Sequence, residues 1–161
     1  MNTRIFNQLA FQDFEYAKRK AFWRDLFSWL TRKSNNLLSF DQIRQGLPFT
    51  GQHYRGLQAI ALHKIVGSKG RSHDFDRAFF PRQTRTRDRW VSIDQAYYEQ
   101  APLPPVEFDK IGEMYFVTDG NHRVSVARAR GLDFIDAYVT ELDVSVPIEL
   151  AKKSQSNFSG L

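Results

Sequence analysis

Residues 102–131 constrain the fold more than any other part of the chain. Pro102, Pro104 and Pro105 end whatever helix precedes them. Val106–Ile111 and Met114–Thr118 then flank Gly112-Glu113, the pattern of a β-hairpin. After only Asp119-Gly120 the chain reads as a helix, with Asn121 as its N-cap, running to Arg130, and Gly131 placed to end it in a left-handed turn. Phe134–Thr140 supplies a further strand.

Upstream, residues 1 to about 33 read as one long helix, uninterrupted by Gly or Pro. Phe6, Ala10, Phe14, Ala17 and Ala21 follow helical spacing, Phe22, Leu26, Trp29 and Leu30 continue it on a drifting face, and Tyr16, Trp23 and Phe27 lie off the stripe. So wide an apolar surface packs on its own domain or on a second copy of the helix, making a homodimer one expectation. Ser39 and Gln42 form a capping-box pattern for a short helix ending near Gly46, and Pro48, Gly51 and Gly56 read as a loop. Ala59–Leu62 suits a short buried strand, and Ile65-Val66-Gly67 leads into a loop at residues 68–71. Asp74–Phe80 reads as a short helix stopped by Pro81, and Thr86 as the cap of a longer one carrying Trp90, Ile93 and Tyr97. The expected organisation is a helical extension at 1–50, a folded domain at 57–150 and a flexible tail at 151–161.

Composition sets the limits on chemistry. The chain has 161 residues, 42% hydrophobic and 25% charged, the balance of one folded domain. It has no cysteine, which removes disulfides, thiolate nucleophiles and cysteine-held metals. His63 and His73 show no close ligand pattern, and Ser68 and Ser125 have no local His–Asp arrangement, so neither a metal site nor a serine hydrolase is expected. No apolar run approaches a membrane span and no signal peptide is evident, so a cytoplasmic location and no membrane partner are expected. The net charge of +5 lies in one stretch: from His63 to Arg89 eight Lys and Arg face three Asp, and the rest balances. A phosphate-bearing partner and a merely solvated face both account for that.

The densest chemistry lies at Asp119-Gly120-Asn121-His122-Arg123. The first N–H groups of a helix have no internal partners and carry partial positive charge, which suits a phosphate. Gly120 permits close approach, Arg123 offers a forked pair of donors, and His122 can donate or accept. Asp119 and His122 are the candidate catalytic groups, Asp119 as base or metal holder. The same residues also serve as plain turn, cap and ion-pair chemistry.

The run Phe116–Gly131 resembles the strand–turn–helix signature of the ParB/sulfiredoxin-like superfamily, in which a hairpin strand enters a Gly-x-His-Arg element followed by an Ala-rich helix. The likeness extends upstream to Leu62–Ser68 and covers residues 57 to about 143. It implies a small α+β fold, a mixed sheet with packed helices, here preceded by the aromatic-rich N-terminal helix. It also implies a nucleotide phosphate held at the start of that helix by Gly120, His122 and Arg123; the expected site adds Asn121 and, from the basic loop upstream, Ser68, Lys69 and Arg71, with ATP or CTP and Mg2+ as the expected ligand. Asp119 matches the acidic position of Asp-Gly-His-His-Arg variants, which include free serine kinases. The sequence departs from sulfiredoxins by carrying Asn121 where their cysteine stands, which excludes sulfinic-acid reduction by that route. It departs from chromosome-partition proteins by having Phe75–Arg82 where a Glu-Asn-x-x-Arg motif is expected.

Three functions follow as expectations. One is a nucleotide-binding protein, with hydrolysis or phosphotransfer as its possible reaction. Another is a DNA- or RNA-binding regulatory or nuclease-like module using Arg82, Arg85, Arg87 and Arg89, whose alternation would spread charge around a helix. The last is a non-catalytic scaffold that dimerises through the N-terminal helix.

Overall fold

The structure is a computed structural model and describes residues 2–145; the tail expected at 151–161 lies outside them. In chain order the elements are α1 (Asn2–Thr31), β1 (Leu38–Ser39), α2 (Phe40–Gly46), β2 (Phe49–Ala61), β3 (Ile65–Ser68), α3 (Arg87–Tyr98), β4 (Val106–Ile111), β5 (Met114–Asp119), α4 (Asn121–Ala129) and β6 (Phe134–Val144). The strands form one mixed sheet in the order β1-β3-β5-β4-β6-β2. β4 and β5 are the expected hairpin, closed with Ile111 opposite Met114 and Gly112 at φ +58°. β3 pairs parallel to β5, β6 parallel to β4, and β2 antiparallel to β6.

Alternation along the strands makes two cores. Val106, Phe108, Val117, Ala137 and Val139 point to one face, where Val124 and Ala127 of α4 pack with Phe75 and Phe79. On the other face Phe116 and Ile111 meet Phe40, Ile43 and Leu47 around α2. A third layer lies outside α3 and α4, where Ala10, Phe14 and Ala17 of α1 bury against Trp90, Val91 and Val126. The ring of Phe14 meets that of Trp90 edge-on at 5.6 Å. The first two thirds of α1 therefore complete the fold, as its small-residue stripe suggested, while the residues following Ala21 lead away from it.

Several local expectations are corrected. Residues 48–56 are not a loop but the start of the 13-residue β2, which pairs with β6 from Phe49↔Val144 to Ala61↔Phe134. Its register shifts at Phe49/Gly51 and at Tyr54/Gly56, and Gly56 has φ +74°, so the glycines mark bulges in a ribbon. Cross-strand polar pairs, the His53–Asp143 hydrogen bond at 2.8 Å and the Arg55–Glu141 ion pair at 2.7 Å, supply what an apolar alternation would otherwise have announced. Asp74–Phe80 is not a helix. The carboxylate of Asp76 accepts the amides of Ala78 (2.8 Å) and Phe80 (2.9 Å), folding the segment into a tight turn in which Phe79 takes φ +63°. At α2 Ser39 is the N-cap residue but makes no side-chain capping bond, so the capping box does not form. The end of α4 follows expectation: Gly131 has φ +68°, with Leu132 N–H bonded to Ala127 O and Gly131 N–H to Arg128 O.

Candidate functional site

The end of β5, the end of β3, the loop at 69–76 and the starts of α3 and α4 meet at one corner of the molecule. Gly120, not Asn121, is the N-cap of α4, at φ +98° and with no side-chain cap. A Cβ there would lie 2.5 Å from Val106 Cγ1, so only glycine brings the turn this close to β4. Asn121 instead begins the helix and is buried, its Oδ1 accepting from the Ser68 hydroxyl at 2.6 Å. That bond ties the end of β3 to the start of α4, so Ser68 and Asn121 set the geometry of the corner.

His122 and Arg123 leave the helix on different flanks. The His122 ring is buried edge-on to Phe75 at 5.4 Å. Burial, and then the nearby guanidiniums of Arg71 and Arg89, push its pKa down to about 4, so it is neutral at pH 7. Arg123 reaches back toward the start of β4, donating to Pro104 O (2.6 Å), Pro105 O (2.8 Å) and Asp119 (2.5 Å). Its fork is engaged by the chain itself. The two candidate catalytic groups are correspondingly separate: Asp119 pairs with Arg123, and among the described residues no hydrogen bond joins it to His122.

The basic stretch divides in the same way. Asp74 is buried and accepts from Arg71 at 3.1 Å and from Arg85. Arg89 has no ion-pair partner among the described residues, so beside His122 Arg71 and Arg89 outweigh Asp74, to which Arg85 also donates. Arg82 is structural, crossing to Asp25 (2.5 Å), Asn36 and the Asn35 carbonyl. Arg87 lies over the Phe11 ring at 5.5 Å. Lys69 turns away from Arg71 to the opposite face of the sheet, 5.7 Å from the Phe40 ring. Arg82 and Arg87 are thus taken up against α1, while Arg85 and Arg89 are exposed.

No family model matches the sequence, and no curated protein matches it. Among solved structures the chain is similar to sulfiredoxin from Arabidopsis thaliana, with a TM-score of 0.37 and 16% identity, covering 52% of this chain and 82% of that one. At that identity and TM-score nothing about this chain follows from the likeness.

Sequence reading missed a cleft of about 860 Å³ on the sheet face beside α2, where Arg44 and Lys69 stand over Asp109 and Thr118 between Tyr54 and Tyr138. Burial raises the pKa of Asp109 against the pull of Lys69 and Arg44. The available signal was the alternation Glu107, Asp109 and Tyr138, Thr140, which puts polar groups on the face opposite Val106, Phe108, Ala137 and Val139. Without the pairing of β4 with β6, nothing in the sequence brings those alternating positions together.

Proposed function

We propose that this chain binds a nucleotide by its phosphates at the start of α4. The observation that carries the reading is the uncapped first turn of α4, flanked by a neutral, buried His122 and a surplus of guanidinium charge from Arg71, Arg85 and Arg89. A phosphate set against the first-turn amides has the helix dipole, those cations and an uncharged imidazole donor or acceptor in reach. Ser68 and Asn121 hold the corner in place for it.

Arg123 acts as a positioning residue in this reading, holding Pro104-Pro105 and Asp119. Mg2+ would arrive held by the phosphates and water, because the carboxylates near the corner, Asp74 and Asp119, are already ion-paired. With Asp119 and His122 on separate flanks, binding has more support than turnover. Replacing Arg71 and Arg89 together by Ala should weaken ATP or CTP binding at least tenfold in calorimetry. Unchanged affinity in that double variant would remove the site.

A further inference from the structure

The outer end of α1 is an apolar face with no partner among the described residues. At 3.6 residues per turn Phe22, Trp23, Leu26, Phe27, Trp29 and Leu30 fall in a stripe roughly 160° wide. Its centre lies roughly opposite the face that buries Ala10, Phe14, Ala17 and Ala21. The exposure is large: Phe27 is 67% and Trp29 75% accessible. The inner face of the same turns is fixed to the domain, with Arg24 bonded to the buried Asp76 at 2.8 Å and Asp25 to Arg82 at 2.5 Å. A groove of about 580 Å³ continues the stripe between Trp23, Phe27 and Leu30 and the loop carrying Lys33 and Asn35, with Arg77 at its side.

The charges around this face choose between occupants. Arg19 and Lys33 stand seven residues either side of Leu26, the middle of the stripe, and Lys20, Arg32 and Arg77 are exposed nearby. The acid of these turns, Asp25, is directed inward to Arg82. A second copy crossing antiparallel at Leu26 would bring Arg19 against Lys33 at both ends, and a parallel copy would set each cation against itself. A negatively charged surface that accepts aromatic rings meets neither difficulty. A helix with Trp, Phe and Leu on one face and Lys and Arg beside them is the pattern that lies in a lipid headgroup layer. The sequence alone shows no clean polar face on α1, but in the fold the domain itself occupies that side.

We propose that residues 19–33 dock the protein flat on an anionic lipid bilayer, the aromatic stripe entering the headgroup boundary and the cations meeting lipid phosphates. Trp90 is buried, so a change in tryptophan emission on binding reports Trp23 and Trp29. Vesicles of phosphatidylcholine with a third phosphatidylglycerol should sediment the full chain and shift its emission to the blue, while pure phosphatidylcholine vesicles should do neither. Raising the salt should weaken the binding, and Arg19→Ala or Lys33→Ala should each weaken it about fivefold at low salt. Phe27→Ser with Trp29→Ser, both at exposed positions, should abolish binding while leaving the far-ultraviolet circular dichroism and the melting temperature unchanged. Absence of sedimentation with the anionic vesicles at low salt overturns the proposal. So does equal binding by the double-serine variant, or a dimer in light scattering that this variant dissolves while vesicles bind neither protein.

Discussion

Gly120 and His122 are the residues on which the corner turns, and each makes a separable prediction. Gly120→Ala puts a side chain at φ +98° and within 2.5 Å of Val106, so it should cost about 3 kcal/mol in urea unfolding, combining backbone strain with overpacking. A change below about 1 kcal/mol would show that the turn relaxes and that the close approach to β4 is not required. His122 has an ordinary value of 6.5 and is pushed down to about 4 in the fold. Between those values the unfolded chain holds a proton that the folded chain does not, so this contribution is complete above pH 6.5 and is lost as pH falls toward 4. Asp94 works in the other direction. Its burial raises the pKa to about 6 despite the Arg130 guanidinium at 2.6 Å, so its contribution is present at low pH and lost as pH rises through 6. The two overlap, and the informative quantity is a difference: His122→Phe should flatten the loss of stability between pH 6.5 and 5, and an identical pH profile for both proteins would refute the buried neutral ring. The Asp-Gly-Asn-His-Arg string was legible as a helix start, but the flank each side chain takes was not. That depends on Phe75 and Pro104, which approach only in the folded chain.

Among the elements, α1 and the turn at 74–81 depend on each other. Asp76 is fully buried and gathers two turn amides, Arg24 of α1 and Asn35, at distances from 2.8 to 3.4 Å. Asp76→Ala leaves those amides without partners and Arg24 with only its bond to Asn35 Oδ1, and should destabilise the chain by about 3 kcal/mol. Hydrogen exchange should then show lost protection at Ala78 and Phe80 first. Protection that persists there would mean the turn is held by Phe75 and Phe79 packing alone. Phe14→Ala should cost a similar ~3–5 kcal/mol by opening a cavity against Trp90, where α1 is a core element. The sequence revealed the helix and its stripe because both are local periodicities. It concealed β2, an edge strand with mostly exposed side chains whose glycines sit at bulges, and it suggested a helix at 74–80 where one buried carboxylate makes a turn. Both misreadings were settled by partners remote in sequence, β6 in one case and α1 in the other.

For the molecule as a whole, the layers α1, α3 with α4, sheet and α2 bring the charge of residues 63–89 to several places. Arg82 crosses to α1, Arg77 lies beside the groove along α1, Lys64 pairs with Glu113, Arg87 and Lys69 lie over Phe11 and Phe40, and Arg71, Arg85 and Arg89 remain around Asp74 and His122. A net +5 confined to 27 residues of sequence therefore does not make one positive surface, and the count in sequence overstates what a polynucleotide would meet. The corner at α4, where nucleotide binding is proposed, has a first turn with no side-chain cap, and Arg89 there has no ion-pair partner among the described residues. Isothermal titration of the full chain with ATP, CTP and GTP, each with and without Mg2+, tests this most directly. Micromolar-range binding of at least one nucleotide, weakened by added salt and by loss of Arg71 and Arg89, is the predicted result; no heat with any of the three at low salt would contradict it.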